Sequence, residues 1–228
     1  MYWTEDNEAD NEFQIPDNII DVAFSIDCKM LPLDHAHDLS IALGEVVPWL
    51  IDDPECGIHQ IYGAESGNGW FRPEDPENEI LVISKRQKMT VRIPRKKLDD
   101  LESLVGAELD IAGHTVTVGK FKTKKLSDMP TVFARSVITQ AGQDEDAFMQ
   151  QAAGQLKEMG IRVRKMMAGK ERLIRTPDDV IATRALMLAD MEQEHSVMLQ
   201  EKGLGAGRKL GCGLFLPQKG ITAVNSDK

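Results

Sequence analysis

The chain of 228 residues is 42% hydrophobic, enough to bury a substantial core within one large domain or two small ones. Its 27 Lys+Arg stand against 37 Asp+Glu, a net charge of -10 that, averaged over the whole chain, speaks against a polyanionic partner. Three cysteines, Cys28, Cys56 and Cys212, form no CxxC pair and exclude both a disulfide framework and a zinc knuckle.

No apolar run approaches the ~18 residues of a membrane span, and the opening MYWTEDNEADNEFQ is acidic where a signal peptide is basic. A soluble, cytoplasmic protein with no membrane partner is expected. The acid is unevenly spread. Residues 1–79 hold 2 Lys+Arg against 19 Asp+Glu and residues 80–228 hold 25 against 18, so a net of -17 precedes a net of +7. Residues 1–18, with little apolar periodicity, are expected to form a loose acidic arm.

From Ile20 the alternation IDVAFSIDC places Val22, Phe24, Ile26 and Cys28 on one face, the period of a half-buried strand. After Pro32, helical spacing of Leu39, Leu43, Val46 and Leu50 predicts a helix, with Asp34 placed to cap it. GIHQIYG predicts a short strand, and EILVIS and KMTVRIP two more. RKKLDDLESLVG predicts a short helix, and AELDIAGHTVTVGKF a hairpin turning at Ala112-Gly113. KTKKLSDMP shifts composition and ends in proline, which sets a boundary near residues 126–130.

The pattern then recurs. TVFARSVIT is a strand, and QDEDAFMQQAAGQLKEMG a helix with Phe148, Ala152, Leu156 and Met159 on one stripe. IRVRKMMAGKERLIRT has the pattern of a hairpin, ATRALMLAD of a strand, MEQEHSVMLQEKG of a helix ending at Gly203, and LGCGLFLP of a final strand. Each half is βαββαβ, so the expected fold is α+β: tandem ferredoxin-like domains at 19–126 and 131–221, with a tail at 222–228.

Between the last helix and strand, GLGAGRKLGCG sets Gly203, Gly205, Gly207, Gly211 and Gly213 around Arg208 and Lys209. A Rossmann or P-loop glycine turn runs from strand to helix, the reverse of this polarity, and Arg208-Lys209 lacks the Lys-Ser/Thr pair for magnesium. What remains is either a helix cap with an ordinary connection, or a loop whose bare backbone admits a polyanion.

These residues resemble a family. The two βαββαβ halves, the histidine just after the first strand and LQEKGLGAGRKLGCGLFLP are similar to the CRISPR-associated endoribonucleases of the RAMP superfamily that cut repeat RNA into guides. DHAHDLSIALGEVVPWL, GIHQIYG and ISKRQKMTVRIP are supporting matches to the smaller-sized branch, and the similarity runs from about Ile19 to Ile221. The resemblance implies a metal-independent enzyme without cofactor. Its substrate would be a CRISPR repeat stem-loop, cut by 2'-OH attack to a 2',3'-cyclic phosphate and a 5'-OH. Mature crRNA and other subunits of an effector complex would be its further partners; the alternative is a non-catalytic RNA-binding subunit of the same superfamily.

Such chemistry needs a base, an acid and a cation near the phosphate. His35 and His37 open the first predicted helix, where the family carries its catalytic histidine. Two positions apart on a helix, they point in different directions. His35 is the first candidate, with a packing role as the alternative; His37 is the reserve and His59, on a predicted strand, the third. A metal site on His35 and His37 is disfavoured because residues i and i+2 do not share a helix face. His114 and His195 have the setting of surface residues. For the RNA backbone, Lys120, Lys122, Lys124 and Lys125 lie on a predicted strand that puts the first three on one face, and Arg162 and Arg164 repeat the pattern. Aromatic residues, at 5%, are too few for a broad stacking platform.

Overall fold

The computed structural model describes residues 13–62 and 80–218; residues 1–12 of the acidic arm and the tail at 222–228 lie outside the described residues. In the N-terminal half, β1 (Ile19–Asp27) and the short β2 (Met30–Pro32) lead to α1 (Ala36–Val46). Pro48 then opens α2 (Pro48–Asp52), and β3 (Gly57–His59), β4 (Ile80–Val82) and β5 (Lys88–Pro94) follow. Two 3-10 segments, Arg95–Lys97 and Asp99–Leu104, stand where a single short helix is expected, and β6 (Glu108–Ile111) and β7 (His114–Lys125) complete this half. The sheet order β3-β5-β1-β7-β6 is the ferredoxin-like order with one added edge strand, while among the described residues β4 pairs with β2 alone.

The C-terminal half comprises β8 (Val132–Ile138), α3 (Glu145–Glu158), β9 (Lys165–Arg175), β10 (Val180–Ala189), α4 (Gln193–Lys202) and β11 (Phe215–Pro217). Its order β11-β8-β10-β9 is, among the described residues, the ferredoxin-like arrangement. The expected hairpin inside 161–176 is instead one long strand whose hairpin partner is β10, with Val180 opposite Arg175 and Ala189 opposite Lys165. The turn chemistry explains the shift, because Thr176-Pro177-Asp178-Asp179 closes through Thr176 and Asp179 hydrogen bonds, whereas Gly169 sits flat in the sheet against Ala185.

Alternation sorts each sheet into two faces. Val22, Phe24, Val91 and Ile93 point to the core beneath α1, where Leu39 and Leu43 meet them. Phe148, Ala152 and Leu156 of α3 cover Val132, Ala134, Leu186 and Leu188 of the second sheet. The hairpin at Ala112-Gly113 has positive φ at both residues, 50° and 80°, as a type I′ turn requires, and Asp110 Oδ1 accepts from Gly113 N–H at 2.8 Å. A bulge interrupts the pairing of β1 with β7 near Ser25, whose Oγ donates to Lys120 O at 3.0 Å across from Gly119.

The halves are joined through the other face of the first sheet. Arg92 of β5 is fully buried; its Nε and Nη2 donate to Asp21 Oδ1 and Oδ2 at 2.7 and 2.9 Å. Its Nη1 reaches Gln200 O and Phe215 O in the C-terminal half at 2.7 and 3.0 Å. A second tie runs from Asp34, the expected helix cap. His35 occupies the cap position of α1 without a side-chain cap bond, and Asp34 Oδ2 instead accepts from Arg175 N–H of β9 at 3.0 Å and faces Arg175 Nη1 at 3.5 Å.

In α3 the cap is local. Asp144 Oδ1 accepts from Ala147 N–H at 2.8 Å, and Phe148 is 1% exposed. Asp144→Ala is therefore expected to lower unfolding free energy by about 1 kcal/mol and Phe148→Ala by about 3–5 kcal/mol, both read from the shift in denaturant midpoint. Equal effects of the two substitutions would contradict the division between cap and core.

Candidate active site and nucleic-acid interface

All five glycines of the loop have positive φ, from 66° at Gly213 to 83° at Gly207. Two of them show why a side chain is excluded. A Cβ on Gly213 would sit 2.2 Å from Leu204 O, and one on Gly211 would press on Gln60 and Ile58 O at 3.0–3.2 Å. The loop is stitched down by Leu204 N–H to Gly213 O, Cys212 N–H to Gly207 O and Gly213 N–H to Ser136 O. From the first half, Gln60 Nε2 donates to Leu210 O at 2.8 Å. The consecutive amides of residues 205–209 have no acceptor among the described residues, and Gly205 and Ala206 are exposed. Such a run of N–H groups without an acceptor has the donor pattern of an anion-binding nest.

The two cations of the loop are turned inward. Arg208 donates from Nη2 to Glu55 O at 2.9 Å, and Lys209 Nζ donates to Asp53 O at 2.5 Å and Cys56 O at 2.7 Å. Residues 53–56 follow α2 directly, so these side chains pin the turn that leaves the helix to the loop of the other half. Expected to present charge to a polyanion, both residues are half-buried and act first as clamps between the halves. Burial lowers the Lys209 ammonium from its ordinary range and, with Arg92 nearby, brings the Arg208 guanidinium to about 10.

The first turn of α1 lies against this loop. Ala36, between the two histidines, packs with Cys212, Leu210, Ile174 and Ile138. Burial pushes the Cys212 thiol up to about 12, so it packs and does not react. His35 is 1% exposed, and both ring nitrogens are engaged: Nδ1 lies 2.8 Å from Pro32 O, and Nε2 accepts from Ile61 N–H at 3.0 Å. That pairing fixes the neutral Nδ1–H tautomer, and burial holds its pKa below the ordinary imidazole range. His37, two positions further along, is half-exposed.

His59 occupies the opposite face of the first sheet. Its Nε2 is 3.6 Å from Asp21 Oδ1 and has no hydrogen-bond partner among the described residues, and burial lowers its pKa. Burial alone would raise the Asp21 carboxyl, but the Arg92 guanidinium, with His59, outweighs this and holds it well below the carboxylate range. The same face carries the lysines: Lys122 pairs with Ala23 and Lys124 with Asp21. Lys120, Lys122, Lys124 and Lys125 are exposed, with Lys125 opposite Ile20 at the strand end and in the other phase. The structure thus brings the first turn of α1 to the glycine loop through Ala36, and His59 and the lysines to the reverse face. Arg162 and Arg164, expected on a strand, precede β9 as exposed residues.

Beside the loop stand residues that the sequence reasoning missed. The Arg135 guanidinium lies 3.9 Å from the Tyr62 ring centroid, and the charge of Arg172 also reaches this ring. Tyr62 Oη donates to Gln60 Oε1 at 2.9 Å, which ties the group to the loop through Gln60. One signal was available: Arg135 interrupts the apolar run TVFARSVIT on the central strand β8.

Known proteins place this arrangement. The family model described as Cas6 Crispr matches residues 20–220. The CRISPR-associated endonuclease Cas6 of Myxococcus xanthus (strain DK1622) is 31% identical over 207 residues, 91% of this chain and 85% of that protein. Among solved structures, a CRISPR associated protein Cas6 superposes with a TM-score of 0.59 at 9% identity, over 88% of this chain and all of that one. A RAMP protein described as binding different RNA substrates gives a TM-score of 0.57 at 14% identity over 88% of this chain and 100% of that one, and these two likenesses establish the tandem ferredoxin-like fold. With its helix-to-strand glycine loop seated on the first turn of α1, the chain belongs to the Cas6 family of CRISPR-associated endonucleases.

Proposed function

We propose that this chain cuts CRISPR repeat RNA stem-loops without a metal ion, using the RNA's own 2'-OH, and releases guide RNA ending in a 2',3'-cyclic phosphate. The observation that carries this is the seating of the α1 first turn on the glycine-rich loop through Ala36 and Cys212. One region offers an accessible imidazole, the other a row of unpaired amides. His37 is the base: its imidazole accepts the 2'-OH proton, the 2'-oxygen attacks phosphorus, and the 5'-oxygen leaves and takes up a proton. The amides of 205–209 donate to the non-bridging oxygens as charge builds on them. His35, with both nitrogens engaged by backbone, supports the helix start and the segment at Ile61. Arg135, Arg172 and Tyr62 flank the same region and hold RNA phosphates or an unpaired base.

His37→Ala is expected to lower the single-turnover cleavage rate by about 10²–10⁴-fold while leaving RNA affinity within about twofold. The intact protein should cut its repeat in excess chelator and fail on a repeat carrying a single 2'-deoxy sugar just upstream of the cut. Cleavage of the deoxy substrate rules out the internal nucleophile, and binding without any cleavage by the intact protein identifies a non-catalytic subunit.

The lysines of β7 lie on the reverse face from His37 and serve a separate stretch of RNA backbone. Replacing Lys120, Lys122 and Lys124 by alanine should weaken binding and reduce the salt dependence of affinity by about two to three phosphate contacts, with the rate at saturating RNA unchanged. A fall in that saturated rate would place these lysines at the cut.

The buried histidines carry a stability signature. Because burial lowers His35 and His59 below the ordinary value of 6.5, the unfolded chain takes up protons there before the folded one does. Stability is thus expected to fall as pH drops below about 6.5, and His35→Gln should flatten that slope in denaturant titrations between about pH 5 and 7. An unchanged slope would show that His35 titrates as freely folded as unfolded.

A further inference from the structure

The glycine-rich loop belongs to the C-terminal half, but a single side chain of the N-terminal half holds both of its stems. Arg92 Nη1 donates to Gln200 O, three residues before Gly203, at 2.7 Å, and to Phe215 O, two residues after Gly213, at 3.0 Å. Gln200 O is one of the last four carbonyls of α4, which have no acceptor role inside the helix, so a cation there also meets the negative end of the helix. Phe215 begins β11. One nitrogen therefore joins the point where the chain leaves the helix to the point where it enters the sheet, outside the Leu204 N–H to Gly213 O bond that closes the loop itself.

That nitrogen is itself aimed. The remaining edge of the guanidinium is occupied by both oxygens of Asp21, at 2.7 and 2.9 Å, which fixes the plane of the group and the directions of the two Nη1 protons. Asp21 and Arg92 face each other across β1 and β5, so the rigid sheet supplies the reference frame. Arg92 is fully buried and touches no open surface, so RNA does not contact it. A lysine at this position would keep the charge but has no planar fork with which to engage Asp21 and both stems together.

We propose that Arg92, oriented by Asp21, is a positioning residue that holds the stems of the glycine-rich loop at the spacing needed for its amides at 205–209 to receive RNA phosphate. The inference rests on the proposed RNA role of that loop, and the test separates the two. Full-length Arg92→Lys and the charge-neutral double variant Asp21→Asn/Arg92→Gln are compared with the parent by peptide-resolved amide hydrogen exchange and by affinity for the repeat RNA. The expected result is exchange at least tenfold faster in peptides covering 199–215, with α3 and the β6–β7 hairpin unchanged. Repeat RNA affinity falls at least tenfold, and the cleavage rate at saturating RNA falls at least threefold, because the same amides donate to the phosphate as charge builds on it.

Combining Arg92→Lys with Gly213→Ala, which displaces the loop by itself, should cost no more affinity than the glycine change alone. Loop exchange at the parent rate in both variants overturns the proposal, as does equal acceleration throughout the chain in both. Faster loop exchange with intact RNA affinity upholds the hold of Arg92 on the loop and instead removes the loop from the proposed function.

Discussion

Water never reaches Arg92, so its charge has to be answered entirely by protein. Asp21 answers it with two oxygens and the C-terminal half with two carbonyls, and this exchange ties the first sheet to α4 and β11. Removing one partner of such a buried pair costs about 3–5 kcal/mol, because the survivor keeps its desolvation penalty. A hydrophobic seam would tolerate sliding of one half over the other by an ångström. A forked guanidinium does not, since its donors reach their acceptors in only one relative placement.

That single placement lets a loop in one half work with a helix in the other. Arg208 and Lys209 close onto the carbonyls after α2, Gln60 holds Leu210 O, and Asp34 holds the end of β9. Each link joins a side chain to backbone, and backbone acceptors do not change when sequence drifts. The seam can accordingly be kept while the surfaces around it vary, as expected of a fold shared with structural relatives at 9–14% identity.

Features that depend on neighbours in sequence were legible. The end of α4 at Gly203, the turn at Ala112-Gly113 and the α3 stripe of Phe148, Ala152 and Leu156 follow from local backbone preference and helical period. Features that depend on distant partners were not. Asp34 has the spacing of a helix cap, and nothing local reveals that Arg175 will claim it. Arg208 and Lys209 look like free cations because their acceptors lie more than 150 positions earlier in the chain. The two α1 histidines were legible as a pair pointing apart, but which one turns inward is decided by Pro32 O and Ile61 N–H. Arg162 and Arg164 were misplaced because a two-residue alternation cannot show where a strand begins.

The irregularity at Ser25 and Gly119 sets the sign of an entire surface. Before it, Val116 and Val118 point into the core; after it, Phe121 does, packed at 5.2 Å between ring centroids against Phe24. Strict alternation from Val118 would have sent Lys120, Lys122 and Lys124 inward and the phenylalanine out to solvent. One surplus residue thus resets the parity of the strand midway along its length, leaving grease at one end and ammonium groups at the other. Straightening the strand with that residue kept would bury three cations at once, so the irregularity is held by electrostatics as firmly as by hydrogen bonding.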